Sequence, residues 1–216
     1  MIFSSSVFVF LFLPLFLAVY YLLPFRARSA WILAGSWLFY GWWRLDFLAL
    51  IVAVSAWSYL WGLKIAEPRS PRGGRVALGI AVAGNLGVLG YFKYFNFGID
   101  SLNALLDRLG AASITAFEVV LPIGISFYVF QATSYLIDLY RADAPRARGY
   151  LDLAAYISLF PQLIAGPIIR YKDIAGQLRD RDHSFPRFSE GSARFMAGFC
   201  KKILIADTVA SVADAT

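Results

Sequence analysis

A single cysteine, Cys200, stands in 216 residues. That excludes an intrachain disulfide and any metal cluster built on cysteines. Charge is scarce as well: 16% of the residues are charged against 59% hydrophobic, and the mean hydropathy is +0.62. An ordinary soluble domain is nearer half apolar and a quarter charged, so that class is set aside. The net charge of +6 lies in clusters separated by long uncharged stretches. No basic patch interleaved with exposed aromatics stands outside the apolar runs, which excludes a nucleic-acid surface. The usual positive leader before the first apolar run is missing, and no small-residue cleavage pattern precedes Pro24, so the run reads as a retained span and not as a cleaved signal. No internal repeat is visible.

What is abundant is apolar and aromatic: 19 Phe, 12 Tyr and 6 Trp. Uncharged runs cover residues 7–25, with Pro14 as an expected kink, then 30–43, 47–63, 76–92, 119–137 and 153–169. An amphipathic stretch follows from Phe188. The run 119–137 would span about 28 Å as a helix, close to the thickness of a bilayer's hydrocarbon core. The aromatic cluster Phe39, Tyr40, Trp42, Trp43 marks a headgroup level. The expected fold class is therefore all-α, a polytopic transmembrane helical protein whose backbone groups are satisfied within each run.

Loop charge orients it. Lys64, Arg69, Arg72 and Arg75 face Glu67 alone between the third and fourth runs, in a stretch that also holds Pro68, Pro71, Gly73 and Gly74. Such a loop belongs to the cytoplasm, and an Arg26/Arg28 loop agrees. The link 93–118 then lies outside and 138–152 inside. "LFPQLIAGPIIRY", residues 159–171, conflicts with simple counting. A full crossing would put Arg170, Lys172, Arg179, Arg181, Arg187 and Arg194 outside. A re-entrant segment broken between Pro161 and Pro167 returns them to the cytoplasm, and irregular backbone at that depth must line protein or a wet cavity. A Pro-kinked span with an external basic loop is the alternative.

Several blocks share one likeness. "IFSSSVFVFLFLPLFLAVYY", which departs from the pattern only at Ile2, is followed in order by "LGYFKYFNF", "LPIGISFYVFQATSYLIDLYR", "LFPQLIAGPIIRY" and "FSEGSARFMAGFCKKILIAD". Together they resemble the membrane-bound O-acyltransferases, in the bacterial branch that serves alginate O-acetylation and teichoic-acid D-alanylation, the alginate members being nearest. The resemblance covers the whole chain. It implies that residues 1–216 form the N-terminal part of one such transmembrane domain in the bacterial inner membrane. It also implies acyl, most simply acetyl, transfer from a cytoplasmic acyl-CoA or acyl-carrier thioester toward an extracytoplasmic polysaccharide, in the company of periplasmic partner subunits. Family members are longer, and the histidine regarded as catalytic lies in their C-terminal half, so no catalytic residue is assigned. The lone histidine, His183 in "DRDHSF", lacks that motif and reads as a surface-loop residue.

The remaining candidates concern the donor. Lys and Arg at a cavity mouth hold phosphate, and Arg170 and Lys172, directly after the broken segment, are best placed, with Arg141 next. The simpler reading of each is a snorkelling anchor at the interface, Arg141 above all. Polar residues inside apolar runs usually bond neighbouring helices; of these, Gln131 and Gln162 are the candidates to line an acyl tunnel. Asp138 is placed to pair with Arg141 one turn on. No metal ligand set and no bound cofactor are expected. D-alanyl transfer, a transporter and a non-catalytic membrane scaffold remain as other functions.

Overall fold

Every element in the described residues is helical, and no strand occurs among them. The computed structural model describes residues 5–42, 44–68, 70–165, 169–179, 181 and 183–213. Trp43, Arg69, Gly166 and Pro167, which the sequence reading used, lie outside them. The chain divides into two compact units, Met1–Leu23 with Arg179–Thr216, and Pro24–Leu178.

In the smaller unit a π-helical turn, Phe8–Phe12, leads into α1, Leu13–Leu22. The Leu13 N–H reaches back five residues to the Phe8 carbonyl. This wide turn falls directly before Pro14, which has no N–H to donate, so the expected kink is absorbed as a π turn. Phe8, Phe12, Phe16 and Tyr20 stack in sequence along one helix face, with centroids 5.7, 5.9 and 6.4 Å apart. Further on, α9 spans Phe185–Lys201, with Ser184 as its cap and Pro186 in the first turn. A second π turn, Lys202–Ala206, joins it to α10, Asp207–Ala213.

The larger unit holds α2 (Phe25–Gly41), α3 (Leu45–Ala66), α4 (Pro71–Arg108), α5 (Ile125–Tyr140), α6 (Tyr150–Ile157), α7 (Phe160–Ala165) and α8 (Tyr171–Arg179). Helices α3 and α4 are each long and apolar enough to cross a membrane, and the chain is a helical membrane protein. Arg26 and Arg28 prove to lie in the first turn of α2, because Leu23 and Pro24 alone make the joint. The link expected at 93–118 is largely helix: α4 runs on through Arg108 and, at about 57 Å, far exceeds the hydrocarbon core.

Beyond that helix the chain comes back along it, held by side-chain amides. Asn96 donates to the Val119 carbonyl and accepts from the Val119 N–H, both at 2.9 Å. Two turns on, Asn103 does the same with Ile114, at 3.0 and 2.8 Å. Each amide thus supplies the donor–acceptor pair that a strand neighbour would give.

The core lies where α3, α4, α5 and α6 meet, around Ile51, Ala81, Tyr128, Leu136, Leu153 and Tyr156. Buried polar groups join its helices: Asn85 of α4 donates to Ser58 of α3 at 3.1 Å. The two ends of this unit are distinguishable. Tyr40 at the close of α2 donates to the Ile123 carbonyl just before α5, at 2.9 Å, and Phe47 near the start of α3 meets Phe92 of α4. At the other end the close of α3 adjoins the close of α5, Gly62 against Tyr135 and Leu139, and Gly74 of α4 adjoins Tyr140.

Candidate functional site

The segment that raised the orientation question traces a path between those two ends. Helix α6 stops at Ile157. Ser158 turns its hydroxyl onto the Ala154 carbonyl at 2.6 Å and receives the Trp37 indole N–H at 3.2 Å. Helix α7 then starts at Phe160, whose N–H meets Ser36 Oγ at 3.3 Å. One break therefore falls at Ser158–Leu159, ahead of the expected stretch, and Pro161 sits in the first turn of α7, where a missing N–H costs nothing; α7 then closes at Ala165, and residues 166–168 of the expected break lie outside the described residues. Leu163 places its carbonyl against Gly124, at the N-terminus of α5. By Ile169 the chain is back beside α6, its carbonyl accepting from the Tyr156 hydroxyl at 2.7 Å. Arg170 then stands 3.8 Å from Asp138 Oδ2, near the C-terminus of α5. Leu163 thus adjoins the N-terminal end of the sixteen-residue α5 and Arg170 its C-terminal end.

Asp138 is 2% exposed. Its carboxylate pairs with Arg170, whose side chain is 49% exposed. The expected Asp138–Arg141 pair does not form among the described residues. Arg141 is the exposed C-cap of α5, and its own N–H closes the helix on the Ile137 carbonyl at 3.0 Å. The helix ends in a Schellman arrangement: the Asp143 N–H reaches the Asp138 carbonyl at 2.8 Å and the Ala142 N–H that of Leu139 at 3.2 Å. Ala142 takes the left-handed position at φ 59°.

Beneath Arg170 lie three buried tyrosines. The Tyr171 ring stands edge-on to Tyr135 and Tyr156 at 5.0 and 5.1 Å. The Tyr135 hydroxyl accepts the Ala147 N–H at 3.2 Å and so ties the loop after α5 to this point. Sequence alone does not single these residues out, because tyrosine in a greasy run reads first as an interface aromatic. The available signal was position: Tyr171 follows Arg170, and Tyr135 lies one turn before Asp138.

Gln131 is buried on α5 and donates to the Tyr156 carbonyl at 2.7 Å, joining α5 to α6. Gln162 is buried on α7. Lys172 is exposed in the first turn of α8. Arg146 pairs with Glu67 across the loops. The same end of the larger unit thus gathers the α3–α4 loop, the close of α5, Arg146 and Arg170. His183 belongs to the smaller unit. Its Nε2 lies 3.3 Å from the Tyr20 hydroxyl, which also receives Arg181 at 3.0 Å. The His183 ring packs edge-on to Tyr20 and Tyr21 at the rim of an apolar groove lined by Leu17, Phe185 and Phe188. No group of three or more His, Cys, Asp or Glu side chains placed to hold a metal ion occurs among the described residues.

These features define a helical membrane protein with a basic end where Asp138 pairs with Arg170. Comparison with known proteins supplies the likeness. The chain is 51% identical to a probable alginate O-acetylase of Pseudomonas putida, over 99% of its own length and 44% of that protein's. It is likewise 51% identical to the probable alginate O-acetylase of Azotobacter vinelandii, over 99% of its own length and 43% of that one's. A peptidoglycan O-acetyltransferase of Helicobacter pylori is 28% identical, over 99% of the chain and 46% of the relative. The chain spans less than half the length of these relatives. No family model matches it, and no solved structure does. The matches uphold the resemblance to membrane-bound O-acyltransferases read in the sequence.

Proposed function

We infer that this chain is the donor-facing portion of a membrane-embedded O-acetyltransferase, one that moves an acetyl group from a cytoplasmic thioester toward an extracytoplasmic polysaccharide such as alginate. The observation that carries the reading is the end of the larger unit where Arg141, Arg170 and Lys172 stand on segments packed together. The relatives' names support the acetyl group and the polysaccharide. In the transfer, a hydroxyl oxygen attacks the thioester carbonyl carbon, the C–O bond forms, the C–S bond breaks, and the hydroxyl proton passes through a base to the leaving thiolate. The base is not assigned in this chain. Its own residues hold the donor: Lys172 and Arg141, both exposed, neutralise phosphate on the pantetheine arm, and Arg170 joins them while anchored by Asp138. In this reading Gln131 and Gln162, both buried, line the acyl path.

The test is a chimera in which residues 1–216 replace the matching portion of the Pseudomonas putida relative, expressed in a strain lacking that relative. The reading expects acetyl ester on the secreted alginate. It expects at least a tenfold loss when Arg141 and Lys172 are both changed to Gln, with the protein still in the membrane, since two charge-assisted contacts are removed. Unacetylated alginate from a membrane-inserted chimera would count against the function. Undiminished acetylation by the double variant would count against the donor site.

A further inference from the structure

We propose that the seam between α3 and α4 holds one anionic phospholipid, its phosphate between Lys64 and Arg72 and an acyl chain along the two tryptophans below. Two openings lie on this seam. The upper is a groove of about 630 Å³ lined by Trp61, Lys64, Glu67, Arg72 and Val76. The lower is an apolar slot of about 250 Å³ lined by Leu50, Val54, Trp57, Gly84 and Val88.

They belong to one path. On α4, Arg72, Val76, Gly84 and Val88 fall on a single i, i+4 row, with exposed Ile80 filling the step between. On α3, Leu50, Trp57, Trp61 and Lys64 share the facing side. The Trp57 and Trp61 rings are adjacent at 5.5 Å and connect groove to slot. From Lys64 to Leu50 is about 21 Å of helix, which carries the path from headgroup level past the middle of a hydrocarbon core about 30 Å thick.

The groove has the charge for an anion. Lys64 stands over the Trp61 ring at 4.2 Å. Neither Lys64 nor Arg72 makes an ion pair among the described residues, whereas Glu67, the one acid lining the groove, is taken by Arg146. The slot has the shape for a chain. Trp57 is fixed by its indole N–H on the Ala81 carbonyl at 3.1 Å, and its ring lies where a side chain at Gly84 would begin, 2.7 Å from an added Cβ. A headgroup site above an apolar slot, in a helical membrane protein whose basic loop faces the cytoplasm by the charge rule, fits a lipid of the anionic leaflet.

The purified 216-residue chain is tested by native mass spectrometry from detergent, with phosphatidylglycerol or phosphatidylcholine added in equal amounts. The expected result is one retained phosphatidylglycerol, favoured over phosphatidylcholine about tenfold or more. Lys64→Gln with Arg72→Gln should abolish that preference, and Arg75→Gln, outside the groove, should leave it. Gly84→Ala, which pushes Trp57 across the slot, should lower retention several-fold. Excess inorganic phosphate should displace little of the lipid. Equal retention of the two lipids, an unchanged double variant, unchanged retention by Gly84→Ala, or full displacement by phosphate would each overturn the proposal. If the double variant fails to fold, the lipid preference of the native chain and the Gly84→Ala result decide.

Discussion

Gly124 and Gly110 share a left-handed backbone, at φ 75° and 69°, but not a setting. A Cβ at Gly110 would meet open space, whereas one at Gly124 would run into the Leu163 carbonyl. Gly110→Ala should therefore cost about 1–2 kcal/mol, the left-handed strain alone, and Gly124→Ala about 3 kcal/mol or more, because the clash adds to it. Thermal unfolding of the two variants in detergent measures the gap, and equal shifts would mean α7 does not press on the start of α5. Ala142 offers the converse case, an alanine at φ 59° in a helix cap. Ala142→Gly should stabilise the chain by about 0.5–1 kcal/mol. The Asp138–Arg170 pair is asymmetric in burial, 3% against 49% for the side chains. Arg170→Gln leaves a buried carboxylate without its cation and should cost on the order of 2 kcal/mol, Asp138→Asn clearly less. Matched losses would show that the pair is no more than a surface contact.

At the scale of elements, the 93–118 link shows what the sequence could and could not tell. Charge and polarity at Lys93, Asp100, Asp107 and Glu118 end the apolar run and mark departure from the hydrocarbon core. They do not end the helix, since a helix needs only backbone bonds to continue in water. The return segment is invisible to periodicity because its partners are side chains, Asn96 and Asn103, and not a strand. Replacing both asparagines with alanine should raise amide hydrogen exchange across residues 111–122 about tenfold or more while α4 keeps its protection. Unchanged exchange would mean that apolar packing such as Phe95 on Phe117, at 5.3 Å, holds the segment alone. Most apolar runs were legible, because lipid demands uncharged helices; the run 119–137 was not, since residues 119–124 are non-helical and α5 begins only at Ile125. A break in 153–169 was legible too, but its start was not. Proline was the visible breaker, yet the chain first turns at Ser158, where Ser36 from α2 accepts the Phe160 N–H and Trp37 donates to the Ser158 hydroxyl.

For the whole molecule, the residues gathered at the basic end were legible one by one as charges after apolar runs. Their grouping depended on which helices pair, which one sequence does not state. The lone histidine illustrates the limit from the other side: His183 packs against Tyr20 and Tyr21 on the rim of an apolar groove. The purified 216-residue chain, given acetyl-CoA and alginate, should show no transfer above a no-protein control. Turnover abolished by His183→Ala would assign the base to this chain after all.

The claim on which the rest depends is that the chain returns to the cytoplasmic end after α7. Asp173, exposed in the first turn of α8 beside Arg170 and Lys172, reports on it directly. With Cys200→Ser removing the one native thiol and Asp173→Cys supplying another, intact cells are treated with a membrane-impermeant thiol reagent. The account predicts no labelling until the inner membrane is opened, then rapid labelling. Rapid labelling from the periplasmic side of intact cells would put Arg170 and Lys172 outside, and the donor site would fall with them.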